Sequence, residues 1–353
     1  MSLGQGYKTR CGVLDESTYG TAVAVSELMP YTSEAIEKMV NKIESAYLNG
    51  KAGREALKSG VIQSLGDLSG NISLNYQNAG GFEYIVWAFA GGAGSRDAGN
   101  SLNQYKVAEA VDNSFTLAFN KDVSVWELPG CKVNTLEISG EAGEESKINW
   151  TAGIIAQNLL RTGDAGITND SAQLTGISTT GAPSMVTFED MVFRIGDTSN
   201  ALAGGDQLKI KAFTLNCNNN LSDPTFSTVD SNHTNNLLTL EPKRNGFREI
   251  ALQVTIPRYD SDSVFTWMNN HTALQCDLKF SVGSYEFNIL LPYCYVNAAA
   301  APIPGPELVE HTFEIIPVRL NAIHAYMTYQ DSDVISDEIG FELKTGRSNP
   351  VDV

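Results

Sequence analysis

Residues 66–89 read GDLSGNISLNYQNAGGFEYIVWAF, and residues 246–269 read GFREIALQVTIPRYDSDSVFTWMN. Laid together without gaps, Gly66 meets Gly246 and Trp87 meets Trp267. Both stretches begin with strict alternation. Ile72, Leu74 and Tyr76 share one face in the first, and Leu252, Val254 and Ile256 share it in the second. Period-two alternation is the signature of a strand buried on one side. A polar turn follows each strand. Phe82, Ile85, Val86 and Phe89 then fall at the i, i+3, i+4, i+7 spacing of a helix, and a second short helix is expected over about 261–270. A candidate strand and a polar loop precede each copy, at 34–44 and 208–216. The shared order of strand, turn and tryptophan-bearing helix reads as a tandem duplication of one β-rich unit, although identities are few.

Outward from these copies, further alternating segments lie at 115–119 and 134–138, and 313–320 reads as a late strand, with Pro317 marking an edge or bulge. The Gly/Ser/Thr-rich stretch 162–184 is the natural seam. The expected organisation is an N-terminal arm plus β domain over 1–161, a linker or long loop over 162–184, and a second β domain over 185–353 with an acidic C-terminal tail. Gly91-Gly92-Ala93-Gly94 reads as a helix stop plus a flexible loop, and 298–306, with Pro302, Pro304 and Pro306, as a stiff connector.

The chain has 353 residues, 24 Lys+Arg against 41 Asp+Glu, and a formal charge of −17. That balance argues against a protein that grips nucleic acid or an anionic membrane. Nothing reaches the ~18 continuous apolar residues of a membrane span, and no secretory signal is recognised. Cys11, Cys131, Cys217, Cys276 and Cys294 are odd in number and widely spaced, which disfavours a disulfide framework or zinc site. The histidines His233, His271, His311 and His324 form no zinc motif, and no phosphate-binding loop or nucleophile elbow occurs. The D-x-D pairs at Asp260/Asp262 and Asp331/Asp333 lack the turn glycine and distal Glu of a calcium loop. No catalytic residue, metal ligand or cofactor is expected.

The opening Gly4-Gln5-Gly6, the run Gly12-Val13-Leu14-Asp15-Glu16-Ser17-Thr18-Tyr19-Gly20-Thr21-Ala22 and the apolar-Pro segment Leu28-Met29-Pro30 resemble the start of long-tailed (siphophage-type) bacteriophage tail tube proteins. The strand Gly66-Asp67-Leu68-Ser69-Gly70-Asn71-Ile72-Ser73-Leu74 and the element Trp87-Ala88-Phe89-Ala90-Gly91 continue the likeness, which covers about residues 4–160. The resemblance implies a mostly-β fold, here tandem β-sandwich or barrel tail-tube domains, each with a short flanking helix. It implies a structural subunit, not an enzyme, that assembles in the host cytoplasm into stacked rings of the virion tail. Its partners would be other copies of itself, a tape-measure protein, a tail terminator and distal tail proteins, with DNA passing through the lumen without specific binding. A duplicated chain could close a ring of three with pseudo-sixfold symmetry; the alternative is a hexamer with 185–353 as a decoration domain.

The acidic composition suits such a channel. DNA carries about one charge per ~1.7 Å, and a basic lining would trap it. Contacts between copies are expected from Asp15, Glu16 and Tyr19 in the arm, which should order only on assembly. They are also expected from the basic loop bearing Lys51, Arg54 and Lys58, docking on acidic residues such as Asp331, Asp333, Asp337 and Glu338. The rival readings are a carbohydrate- or cell-binding β-sandwich module, with Tyr293 and Tyr295 as its aromatics, and a β-sandwich glycosidase built on a carboxylate pair.

Overall fold

The computed structural model describes residues 5–44, 61–77, 80–97, 99, 101–181, 184–222, 240–303, 305–306, 308–320, 326–329, 335, 337–345, 347 and 349–351. The first half runs β1 (Arg10–Asp15), β2 (Glu27–Leu28), β3 (Ser33–Glu44), β4 (Val61–Asn75) and helix α1 (Phe82–Ala90). It continues with β5 (Gly91–Asp97), β6 (Leu102–Val107), β7 (Phe115–Asn120), β8 (Val125–Glu141), β9 (Asn149–Ile155), β10 (Leu160–Arg161) and the short helix α2 (Ser171–Gly176). The second half runs β11 (Met191–Asp197), β12 (Ala212–Asn218), β13 (Glu249–Ile256), helix α3 (Ser263–Asn269), β14 (Leu274–Val282), β15 (Tyr285–Ala300), β16 (His311–Pro317) and β17 (Gly340–Lys344). The fold is mostly β, as expected.

One antiparallel sheet has the order β3-β4-β9-β8-β12-β13-β16-β15. A second layer has the order β11-β14-β15-β17-β6-β5. The long strand β15 belongs to both, its start pairing with β14 and β17 and its end with β16. β8 is shared in the same way: its start pairs with β7 and β10, and β1 lies beyond β7.

Aromatic side chains fill the space between the layers. Tyr76 stacks on Trp150 with ring centres 5.2 Å apart, Trp150 meets Phe287 at 5.2 Å, and Phe287 stacks on Phe280 at 5.6 Å. Such rings each contribute about 0.5–1.5 kcal/mol beyond their burial. Trp150 comes from the first half, and Phe280 and Phe287 come from the second. Strand pairing likewise crosses the stretch 162–184: β8 pairs with β12 from Glu141–Ala212 to Thr135–Asn218, and β6 pairs with β17. One apolar cluster holds residues of both halves.

Helix α1 begins and ends where its sequence expects. Gly91 takes φ +77°, the left-handed cap, and its N–H donates to the Trp87 carbonyl. The glycine run that follows is a strand and not the loop expected from its composition. β5 lies so close to the C-terminal segment that a Cβ on Gly94 would meet Pro350 at 2.6 Å and Tyr105 at 2.8 Å. The missing side chains admit that approach.

The N-terminal segment also departs from expectation. It is ordered within a single chain, because β1 pairs with β7 over its whole length, from Arg10–Asn120 to Asp15–Phe115. The acidic stretch before residue 340 is not a terminal tail, since the chain re-enters the second layer as β17 between β15 and β6.

Candidate assembly surface

The eight-strand sheet has one face in the core and one face outward. The outward positions read Ser69, Asn71 and Ser73 on β4, Asn149 and Thr151 on β9, and Thr135, Glu137 and Ser139 on β8. Thr214 and Asn216 follow on β12, Glu249 and Gln253 on β13, and Thr312 and Glu314 on β16. These positions are mostly short polar side chains with Glu as the charged type; Ala251, Ile316, Tyr293 and Tyr295 fall in the same alternation, and Lys38 is exposed at the β3 rim. A concavity of about 560 Å³ lies on this face, lined in part by Asn71, Thr135, Glu137, Thr151 and Asn216. Arg248 also lines it, but its guanidinium is buried. Its Nε donates to Asn219 Oδ1 at 2.7 Å, and burial pulls its pKa down to about 10.

The two rims of the sheet differ from its middle. Among the described residues, β3 pairs only with β4, and the end of β15 pairs only with β16. At those rims Ser33, Ala35, Glu37, Ala298 and Ala300 are exposed. An unpaired edge offers a row of backbone donors and acceptors to another strand.

The residues picked from the sequence fall in several places. Lys51, Arg54, Lys58, Asp331 and Asp333 lie outside the described residues. Asp15 closes β1 opposite Phe115. Glu16 is buried, and its carboxylate accepts from the Gly20 and Gly130 N–H groups at 2.9 and 2.8 Å and from the Ser114 and Thr116 hydroxyls at 2.9 and 2.7 Å. That pattern is an internal staple joining the arm to β7 and β8. Tyr19 is half-buried, with its ring 5.7 Å from the ammonium of Lys132. Asp337 lies 3.5 Å from Arg319 Nε, and burial raises its pKa. Glu338 lies 4.0 Å from Arg248. These two acids therefore meet arginines of their own chain. Tyr293 and Tyr295 touch each other, hydroxyl to hydroxyl at 3.0 Å, with rings edge-on.

One buried acid was not singled out from the sequence. Glu83 in α1 accepts from Asn103 at 2.6 Å, and from Tyr105 and Thr345 at 2.5 Å each. Burial raises its pKa, against the hydrogen bonds and Arg347, which lies 3.7 Å away. Its lone charge in the helix FEYIVWAFA was the available signal. Its partners tie α1 to β6 and to the C-terminal segment, a fastening role. Among the described residues, no group of three or more His, Cys, Asp or Glu is placed to hold a metal, and no helix is long and apolar enough to cross a membrane. All five cysteines are buried thiols.

The site is thus a broad, mostly polar sheet face between two open edges, over a core in which Glu16 and Glu83 are held by internal hydrogen bonds. The chain belongs to the phage tail tube protein family, whose model matches residues 6–317. No curated protein matches it. Membership assigns a structural role in the virion tail and self-assembly into a tube.

Proposed function

We propose that three copies of this chain form each ring of the tube, with six similar units around the axis, and that the outward face of the eight-strand sheet lines a lumen through which DNA passes. The observation that carries this reading is a repeated scheme of strand pairing. In the first half β1 pairs with β7, β7 with β8, β8 with β9 and β10, β9 with β4, and β4 with β3. In the second half β11 pairs with β14, β14 with β15, β15 with β16 and β17, β16 with β13, and β13 with β12. The order along the chain is the same, and every pairing is antiparallel. α1 follows β4 as α3 follows β13. A duplicated unit accounts for all of this at once, and the units are the two halves divided near 162–184.

The polar face suits a conduit. Each cationic phosphate contact adds affinity through counterion release, whereas a neutral-to-acidic wall lets the polymer slide. Its carboxylates act only over about 8 Å at physiological salt. The β3–β4 hairpin extends beyond the length of its counterpart β12–β13, with pairing out to Glu44–Val61. Contact between rings is assigned to the loop it carries, with Lys51, Arg54 and Lys58, and to Asp331 and Asp333, since Asp337 and Glu338 already meet Arg319 and Arg248 of their own chain. Tape-measure, terminator and distal tail proteins are the further partners, and assembly takes place in the host cytoplasm.

Electron cryomicroscopy of assembled tubes tests the reading. Three chains per ring with both halves in the wall are expected. Six chains per ring, with 185–353 outside the wall, overturn it.

A further inference from the structure

The two open rims of the sheet have an internal template, the junction where β8 of the first half meets β12 of the second. We propose that the end of β15 pairs with β3 of the next protomer in the register of that junction, Ala299 opposite Glu34. The inference rests on the duplication proposed above and adds the partner strand and the register.

The register follows from the pairings alone. β13 pairs Leu252 with Leu215 of β12, and β4 pairs Ile72 with Glu34 of β3. Leu252 is the counterpart of Ile72 in the gap-free alignment, so Leu215 is the counterpart of Glu34. On the other side, β16 joins Phe313 to both Val254 and Ala299, and β9 joins Trp150 to both Leu74 and Ile138. Val254 is the counterpart of Leu74, so Ala299 is the counterpart of Ile138. The internal junction pairs Leu215 with Ile138. Transferred to the rims, it pairs Glu34 with Ala299, Ser33 with Ala300 and Ala35 with Ala298.

Local features agree with this transfer. Facing orientation is preserved: Leu215 and Ile138 point into the core, Glu34 and Ala299 are half-buried, and their neighbours Ala35 and Ala298 are exposed. β8 carries a bulge at Asn134, four residues before Ile138, and β15 carries one at Asn297, two residues before Ala299, so the transferred register is confined to the unbulged run Ala298–Ala300. The strand directions alternate from β3 to β15, so the next β3 meets β15 antiparallel, as within the chain. The rim residues bring no like charges face to face. Glu34 is already bound to Lys121 at 2.5 Å and meets an alanine. Pro302, which has no N–H to donate, stands at the position of Glu141, where the internal junction ends.

Paired cysteines test the register, because directly opposed residues of an antiparallel pair lie within disulfide reach. Ala35→Cys combined with Ala298→Cys is expected to give covalent chains on mild oxidation of assembled protein, in a ladder that ends at three. Ala35→Cys with Ala299→Cys, whose side chains take opposite faces, is expected to stay at the background of the single variants. Rings of three without the first cross-link overturn the register and leave the trimeric ring standing. A ladder running to six supports the register and overturns the ring of three. Neither rings nor cross-links overturns both. Should the double variant fail to fold, hydrogen exchange on the unaltered chain decides. Amides of 33–37 and 298–300 are expected to exchange at least tenfold more slowly in the tube than in the free subunit, and equal rates overturn the pairing.

Discussion

Helices α1 and α3 hold the same place in the two halves, and their surroundings are opposite. All nine residues of α1 are buried, under β5, β6 and the C-terminal segment that Glu83 fastens. In α3 only Val264 is buried, and Trp267 is half-exposed where its counterpart Trp87 is 2% exposed. The β5–β6 hairpin sits between α1 and β7, and nothing corresponds to it between α3 and β14. On the duplication proposed above, the β5–β6 hairpin is an addition to the first copy that seals its helix. The other kept a helix held mainly from one side.

The largest effect that separates them is Trp87→Ala against Trp267→Ala. A buried tryptophan cut to alanine costs about 3–5 kcal/mol through lost burial and the cavity left behind. The half-exposed counterpart should cost less than half as much. Urea unfolding of the two variants measures this, and equal losses would mean that the insertion does not seal α1. A smaller contrast comes at the ends of β1 and β11. Glu16 backs onto four donors, so Glu16→Ala leaves buried N–H and O–H groups unpaired, at a cost of about 3 kcal/mol. Asp197, which closes β11 opposite Leu274 as Asp15 closes β1 opposite Phe115, is exposed and accepts from Ser199 N–H in its own turn, with no buried cluster of donors beside it like that around Glu16. Asp197→Ala should leave the unfolding midpoint nearly unmoved.

The same insertion explains how much of the fold was legible. The gap-free match of 66–89 to 246–269 ends at the helix because the first half then adds a hairpin, and every later counterpart is displaced. Strands β4 and β13 show their alternation because one face meets solvent, whereas β7 alternates although all six of its residues are buried, Thr116 donating to the buried Glu16. β6 and the middle of β15 are buried on both faces, with the patterns BBBBiB in LNQYKV and an unbroken buried run at Phe287–Pro292, so period two vanishes. β5 is built on glycines and carries no pattern at all. The tail-tube resemblance identified the family from the arm, the Leu28-Met29-Pro30 segment, strand β4 and the end of α1. The arm's order within one chain rests on a pairing with β7 about a hundred residues away, which no local signal carries. The polar face was readable residue by residue. The open rims were not, since an edge is defined by a neighbour the strand lacks.

The smallest expected contrast is also the most specific. Tyr76 N–H donates to the Ile148 carbonyl in the first half, and Ile256 pairs with His311 at the same place in the second. Both side chains are buried, Ile148 completely and His311 to 1% exposure. Burial lowers the His311 pKa below its usual 6.5, and Asp262 opposes the shift. A histidine held neutral by burial binds fewer protons in the folded chain than in the unfolded one. Its contribution is therefore complete above about pH 6.5 and is lost as the pH falls through that value towards the folded pKa. His311→Ile copies the first half into the second. It forfeits the stacking on Phe265, whose ring centre is 4.9 Å away, a loss of about 0.5–1.5 kcal/mol that should not depend on pH. It also removes the proton-linked loss, so the variant should close the gap on its parent between about pH 8 and about pH 5. Urea unfolding at both values measures that gap. A gap of constant size would place the acid sensitivity elsewhere and leave the two positions equivalent in more than geometry.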